Sequence, residues 1–176
     1  MRMLVLTGMI AGCLACGAAT AAAEVEVNWK EPDSYTDVKP VNETRKGFQE
    51  RTFSVLEKHF SELAESLPDD YNLSVEVTNV DLAGQVWPAS FVGLGHSSSD
   101  VRLIKRLDIP RMTFSYTLAD SSGKVVKSAD VNLKDMGFMD GIVRGFESDS
   151  FRYEKNMLTE WYEAEFEDLL ANQSAH

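Results

Sequence analysis

The chain has 176 residues, 44 % of them apolar, and 28 acidic against 17 basic side chains give a formal net charge of −11. That balance disfavours nucleic acid and anionic lipid as general partners. Both cysteines, Cys13 and Cys16, fall in the first 23 residues, so the remainder has no disulfide and too few ligands for a zinc site.

Met1-Arg2-Met3 carries one positive charge, Leu4 to Ala23 carries none, and Glu24 opens an ordinary charged sequence. A short basic start, an apolar run and the small residues Ala21-Ala22-Ala23 are the parts of a secretory signal, expected to be cut after Ala23. A retained transmembrane span is disfavoured because the run ends in Ala, Thr and Gly, with no basic stop-transfer cluster after it. A second export route stays open: Ile10-Ala11-Gly12-Cys13 fits a lipobox, which would make the protein a lipoprotein anchored through Cys13. Cleavage after Ala23 leaves 153 residues and, because Arg2 is the only charge lost, moves the net charge to −12. A chain of that length supports one self-sufficient core. The expectation is one domain over residues 24–172 with a disordered tail at 173–176, secreted or periplasmic, and with no transmembrane span after cleavage.

Val25, Val27 and Trp29 alternate with Glu26 and Asn28, the pattern of a half-buried strand. Pro32 to Pro40 reads as a loop. Asn42 is the expected N-cap of a long helix reaching about Leu67, with Phe48, Thr52, Val55, Leu56, Phe60, Leu63, Ala64 and Leu67 on its buried stripe. Leu73, Val75 and Val77 form a second strand. The switch to even positions at Val80 and Leu82 predicts a β-bulge near Asn79. Residues 84–99 read as a loop, and 101–107 as a strand. Met112, Phe114, Tyr116 and Leu118 then pair across the turn Asp120-Ser121-Ser122-Gly123 with Val125, Ala129, Val131 and Leu133. A Gly-rich connection over 135–149 leads to a last helix, capped by Asp149 or Ser150 and reaching about Ala171. The order is β-α-β-(β)-β-β-α, an α+β fold with a largely antiparallel sheet packed against two helices.

No constellation in the chain carries a recognisable chemistry. His59 sits at the edge of the helical stripe and reads as a packing residue. His96, in Gly93-Leu94-Gly95-His96-Ser97, has serine neighbours but no nucleophile elbow and no complete phosphate loop. Asp130, Asn132 and Asp135 lack the glycine and closing glutamate of a calcium loop. No cofactor, metal or catalytic residue is expected. Arg102, Lys105, Arg106 and Arg111 run against the global charge, opposed locally by Asp100 and Asp108. They either contact an anionic partner or pair internally, with Asp81 as the expected carboxylate.

Four stretches carry a resemblance: Tyr35-Thr36-Asp37-Val38, Val80 to Pro88, Pro110 to Tyr116, and Tyr153 to Trp161. Together they resemble an uncharacterised family of exported bacterial proteins, domain of unknown function 3016. The resemblance implies a small secreted or periplasmic domain and supplies no activity, cofactor or catalytic residue. Within these stretches and the basic cluster, Asp81, Arg102, Tyr153, Glu154 and Lys155 exceed what packing requires, which leaves buried pairing or a binding surface. The expected function is a non-catalytic binding or interaction module of the cell envelope, partnered by an envelope protein or an anionic envelope component. Its contact surface is drawn from Asp81, Arg102, Lys105, Arg106, Tyr153, Glu154 and Lys155. The alternative is an envelope hydrolase using paired carboxylates as general acid and base.

Overall fold

Alternation of Val25, Val27 and Trp29 with polar neighbours builds strand β1 (Glu24–Trp29), which lies at one edge of a sheet and is half-covered on its inner side. The structure, a computed structural model, describes residues 23–95, 99–140 and 149–173. The expected signal peptide up to residue 22, the Cys13 lipid site, His96, His176 and residues 174–176 of the tail lie outside them.

A 3₁₀ turn at Pro32–Ser34 leads toward helix α1 (Arg45–Ala64), which returns the chain to strand β2 (Asn72–Asp81), parallel to β1. The α1 cap is Thr44 rather than Asn42. Thr44 has the extended backbone a cap needs, and its Oγ1 accepts the Gly47 N–H at 3.1 Å. The helix ends at Ala64, three residues before the expected Leu67. Ser66 N–H then donates to Leu63 O, and Leu67 N–H to Ala64 O at 2.9 Å, a tightened last turn that keeps Leu67 buried. Leu63, expected in the core, is half-buried, while Phe48, Thr52, Leu56, His59, Phe60 and Ala64 are buried.

The sheet order is β1-β2-β5-β6, where β5 (Arg111–Ala119) and β6 (Val125–Lys134) form the expected hairpin. The bulge is present: the β2–β5 register steps from Val77↔Phe114 to Asn79↔Thr113, leaving Thr78 as the extra residue. Residues read as a loop after Gly84 instead form β3 (Gln85–Trp87), paired antiparallel with β4 (Val101–Leu103) in a separate two-stranded limb. β4 is the start of the strand expected over 101–107, cut to three residues, whereas β3 is three residues long, too short to show a period, and only the pairing reveals it. Gly84 permits this limb. Its φ is +79°, and a Cβ there would stand 2.4 Å from the Leu103 carbonyl oxygen.

Helix α2 (Arg152–Glu165) breaks at Phe166 before a short α3 (Glu167–Gln173), where one continuous helix was expected. Phe166 is buried against Tyr116, Trp161 and Tyr162, so packing of its ring holds the break. Asp149 contributes to the start of α2 by accepting the Phe151 N–H at 2.8 Å, although Phe151 is the capping position.

Helices α1 and α2 both cover the apolar face of the sheet. Phe60 and Trp161 meet Phe114 edge-on, with ring centroids 5.9 and 4.8 Å away. Coverage stops short of β6, where Val131 and Leu133 are half-buried and Val125 and Ala129, expected inward, are exposed. Truncating Phe114 to Ala should cost about 3–5 kcal/mol. The same change at half-buried Leu63 should cost clearly less. Urea titration of both variants checks the order, and equal losses would contradict the packing described.

Candidate functional site

Arg102 is the most heavily bonded cation among the described residues. Pairing of β4 with β3 aims its side chain back across the limb toward the segment before α1. Nη1 donates to Asp37 Oδ2 at 2.9 Å and to the carbonyls of Ala83 and Gly84 at 3.3 and 3.2 Å. Nη2 donates to Asp37 Oδ1 at 3.3 Å and to the Lys39 carbonyl at 3.0 Å. The two side chains are only 18 % and 10 % exposed. Asp37 in turn bridges the end of β2: its N–H donates to Val80 O, and its carbonyl accepts from Leu82 N–H. The internal partner of Arg102 is therefore Asp37 and not Asp81, because Asp81 faces Arg111 along the β2–β5 ladder, at 3.8 Å. Burial, reinforced by the Asp37 charge and opposed by Arg111, holds the Asp81 carboxyl above its usual range.

Beside this clamp lies a cleft of about 240 Å³, between the start of α1, the end of β2 and the first turn of α2. Its apolar walls include Phe48, Leu82 and Phe151, with Glu43 and Arg51 across the opening. Glu154, 2 % exposed, forms part of the lining and accepts the Ala83 N–H at 2.7 Å. Burial is the main influence on its carboxyl and raises its pKa, against the Ala83 N–H and the Arg102 charge, which lower it. Arg102 lines the same cleft, so the fold brings these two predicted site residues together. For the carboxylate-hydrolase expectation, the second carboxyl lining the cleft is Glu43, whose Oε1 is held by Arg51 at 2.5 Å.

Lys155 and Tyr153 do not join that pair. Lys155 Nζ donates to Asp149 Oδ2 at 2.5 Å, and its carbonyl accepts from His59 Nε2 at 3.0 Å. His59 is buried, and desolvation lowers its pKa below the ordinary 6.5, which keeps it a neutral tie between α1 and α2. Tyr153 packs edge-on against Phe138 at 4.8 Å, with the Arg152 guanidinium over its ring. Asp130 and Asn132 are ladder residues of β6. The described residues contain no group of three or more His, Cys, Asp or Glu able to hold a metal ion, and no helix long and apolar enough to cross a membrane.

Only Lys105 and Arg106 of the seven predicted surface residues are exposed. Lys105 Nζ stands 4.4 Å over the Trp87 ring, and Arg106 pairs with Asp140 at 2.7 Å. That pair joins the β4–β5 loop to the turn after β6, which places 90 % exposed Leu107 and 82 % exposed Met136 on the two joined segments. Asp37, Asp149, Asp140 and Trp87 were not among the predicted residues. The signal for Asp37 was its place in the Tyr35-Thr36-Asp37-Val38 stretch. Asp149 was expected only as a helix cap, and Asp140 had no local signal, since its partner is 34 residues away.

A family model described as "Protein of unknown function (DUF3016)" matches residues 23–164. The chain belongs to this family. The DUF3016 match covers every element from β1 into α2, and with them the clamp, the cleft and the exposed rim. Neither the curated proteins nor the solved structures gave a match.

The two arginines should respond differently. Arg102→Met leaves Asp37 buried without its cation, at a cost of about 3–5 kcal/mol. Arg106→Glu changes an exposed pair and should leave the unfolding midpoint nearly unchanged. Chemical denaturation of both variants tests this, and a neutral Arg102→Met would show that the clamp contributes nothing. Glu154 should impose a pH slope. Its folded pKa is raised, so the folded state holds the proton more tightly than the unfolded chain does. Stability from this group is full below about 4.5 and falls as pH rises through the folded value. Glu154→Gln keeps an acceptor for Ala83 N–H and should flatten that slope in melts from pH 4 to pH 8.

Proposed function

We propose that the chain is a non-catalytic interaction module of the bacterial cell envelope. Its contact face is the rim formed by Lys105, Arg106 and Leu107 together with Met136 and Met139. The observation that carries this reading is the exposure of Leu107 and Met136 on two loops joined by the Arg106–Asp140 pair. Large apolar side chains scattered singly need no explanation. A group of them rimmed by charge is the composition of a protein contact site. The cleft supports the same reading from the other side, because its polar groups are committed inward: Arg102 to Asp37 and three carbonyls, and Glu154 to Ala83. Such bonds hold elements together and leave the rim as the accessible chemistry. The envelope part of the proposal rests on the charge-free run of residues 4–23 and its small-residue end.

Lys105 and Arg106 suit a partner surface that is anionic at its edge and apolar at its centre. An envelope protein offers both, and the overall charge of −11 would oppose any broad contact with an acidic surface. The test is affinity capture of the tagged chain from an envelope extract of its source bacterium, set against Arg106→Glu/Leu107→Glu. The double variant should melt like the parent, and its co-purifying partner should fall at least about tenfold, the loss that 1.4 kcal/mol produces. Undiminished capture by a folded double variant would overturn this contact face.

A further inference from the structure

The outer side of β6 is an unfinished edge. β6 is last in the sheet order, pairs only with β5, and runs ten residues without proline. Its first six residues are exposed, and among the described residues no strand pairs with its outer side. A long open edge presents a row of unpaired backbone donors and acceptors, which natural sheets normally blunt. The core is unfinished along the same edge. A groove of about 350 Å³ runs between the end of β6 and α2, floored by Leu133, Met157, Trp161 and Ala164 and flanked by Asp135, Glu160 and Glu165. Trp161 Nε1 is buried there with no hydrogen-bond acceptor. Lys134 lines the groove as well, and burial first, with the Glu160 charge in support and the Gly137 N–H opposed, holds the Asp135 carboxyl above its usual range.

We infer that a second copy of this chain completes the edge, by antiparallel β6–β6 pairing about a two-fold axis through Val131. The β6 sequence is complementary to itself in this register. Val131 meets its own mate and Ala129 meets Leu133, placing apolar groups over the groove. On that same face Lys127, which lies 2.7 Å from its own Glu165, falls opposite Asp135 of the other copy. On the outer face Asp130 meets Asn132, and Ser128 meets Lys134. Opposite charges and apolar pairs at facing positions are what stabilise an antiparallel ladder. The neighbouring registers are poorer. An axis at Asp130 sets Asp130 against Asp130, and an axis at Asn132 shortens the ladder from residues 128–134 to residues 130–134. Strand addition of this kind draws affinity from main-chain bonds and specificity from alternate side chains.

The experiment uses the full chain with Cys13 and Cys16 changed to Ser. Sedimentation over a concentration series should show a reversible monomer–dimer equilibrium. Lys127→Glu should weaken it about tenfold or more, and Lys127→Glu/Asp135→Lys should restore it. Under mild oxidation Val131→Cys should crosslink to its own mate, because facing residues in an antiparallel pair stand at disulfide distance. Asn132→Cys, displaced from the axis, should crosslink far less. The inference is overturned by a chain that stays monomeric to about 200 µM, far above a micromolar Kd. Preferential crosslinking at Asn132 would also overturn it. So would β6 amide protection that appears only with a different envelope protein, which would assign the edge to a foreign strand.

Discussion

Arg102 stands where three pieces of backbone converge. Its guanidinium gathers the carboxylate of Asp37, the carbonyls of Ala83 and Gly84 after β2, and the carbonyl of Lys39 before α1. A planar cation with five donors can satisfy such a set, where a lysine could not. The β3–β4 limb is otherwise held by its own short ladder, the Gly84–Asp108 backbone bond and packing around Gly84. The clamp therefore determines where the limb sits, and hence where Lys105, Arg106 and Leu107 point.

The polar groups inside this protein form a chain of local ties rather than one network. Arg102 joins Asp37, Glu154 takes the Ala83 N–H, Lys155 joins Asp149, and His59 reaches the Lys155 carbonyl. Each ties an irregular segment to a regular element, where backbone groups would otherwise be buried unpaired. Partial burial makes such ties costly to form and more costly to break. The chain has no disulfide available to its described part, so these contacts and the aromatic cluster around Trp161 together hold its loops.

The sheet is covered unevenly, and that asymmetry shapes the outer surface. α1 and α2 bury the apolar positions of β2 and β5 completely, yet reach only Val131 and Leu133 of β6. The opposite face of the sheet carries Ser74, Thr117 and Ser128 in one cross-strand row, and Glu76, Ser115 and Asp130 in the next, so it faces water. Among the described residues, large apolar groups remain uncovered at the rim beside the limb, at the β6 edge, and at Phe91 and Leu94 between β3 and β4.

Much of the fold was legible locally. Period-two alternation marked β1, β2 and the β5–β6 hairpin, and the parity switch before Val80 marked the bulge, because a pleated strand alternates faces and one extra residue must shift them. The helical stripe from Phe48 to Ala64 was visible for the same kind of reason. What the sequence could not show were features decided by distant partners. β3 exists only because it finds β4 across the loop, α2 stops where the Phe166 ring packs, and the first six residues of β6 lose their expected burial because the helices half-cover only Val131 and Leu133. The candidate site divides in the same way. Arg102 and Glu154 were readable as more than packing. That Arg102 would choose Asp37 over Asp81, and that Arg106 would reach Asp140, depended on how the limb and the turn are carried together in space, since an ion pair follows distance in three dimensions and not spacing along the chain.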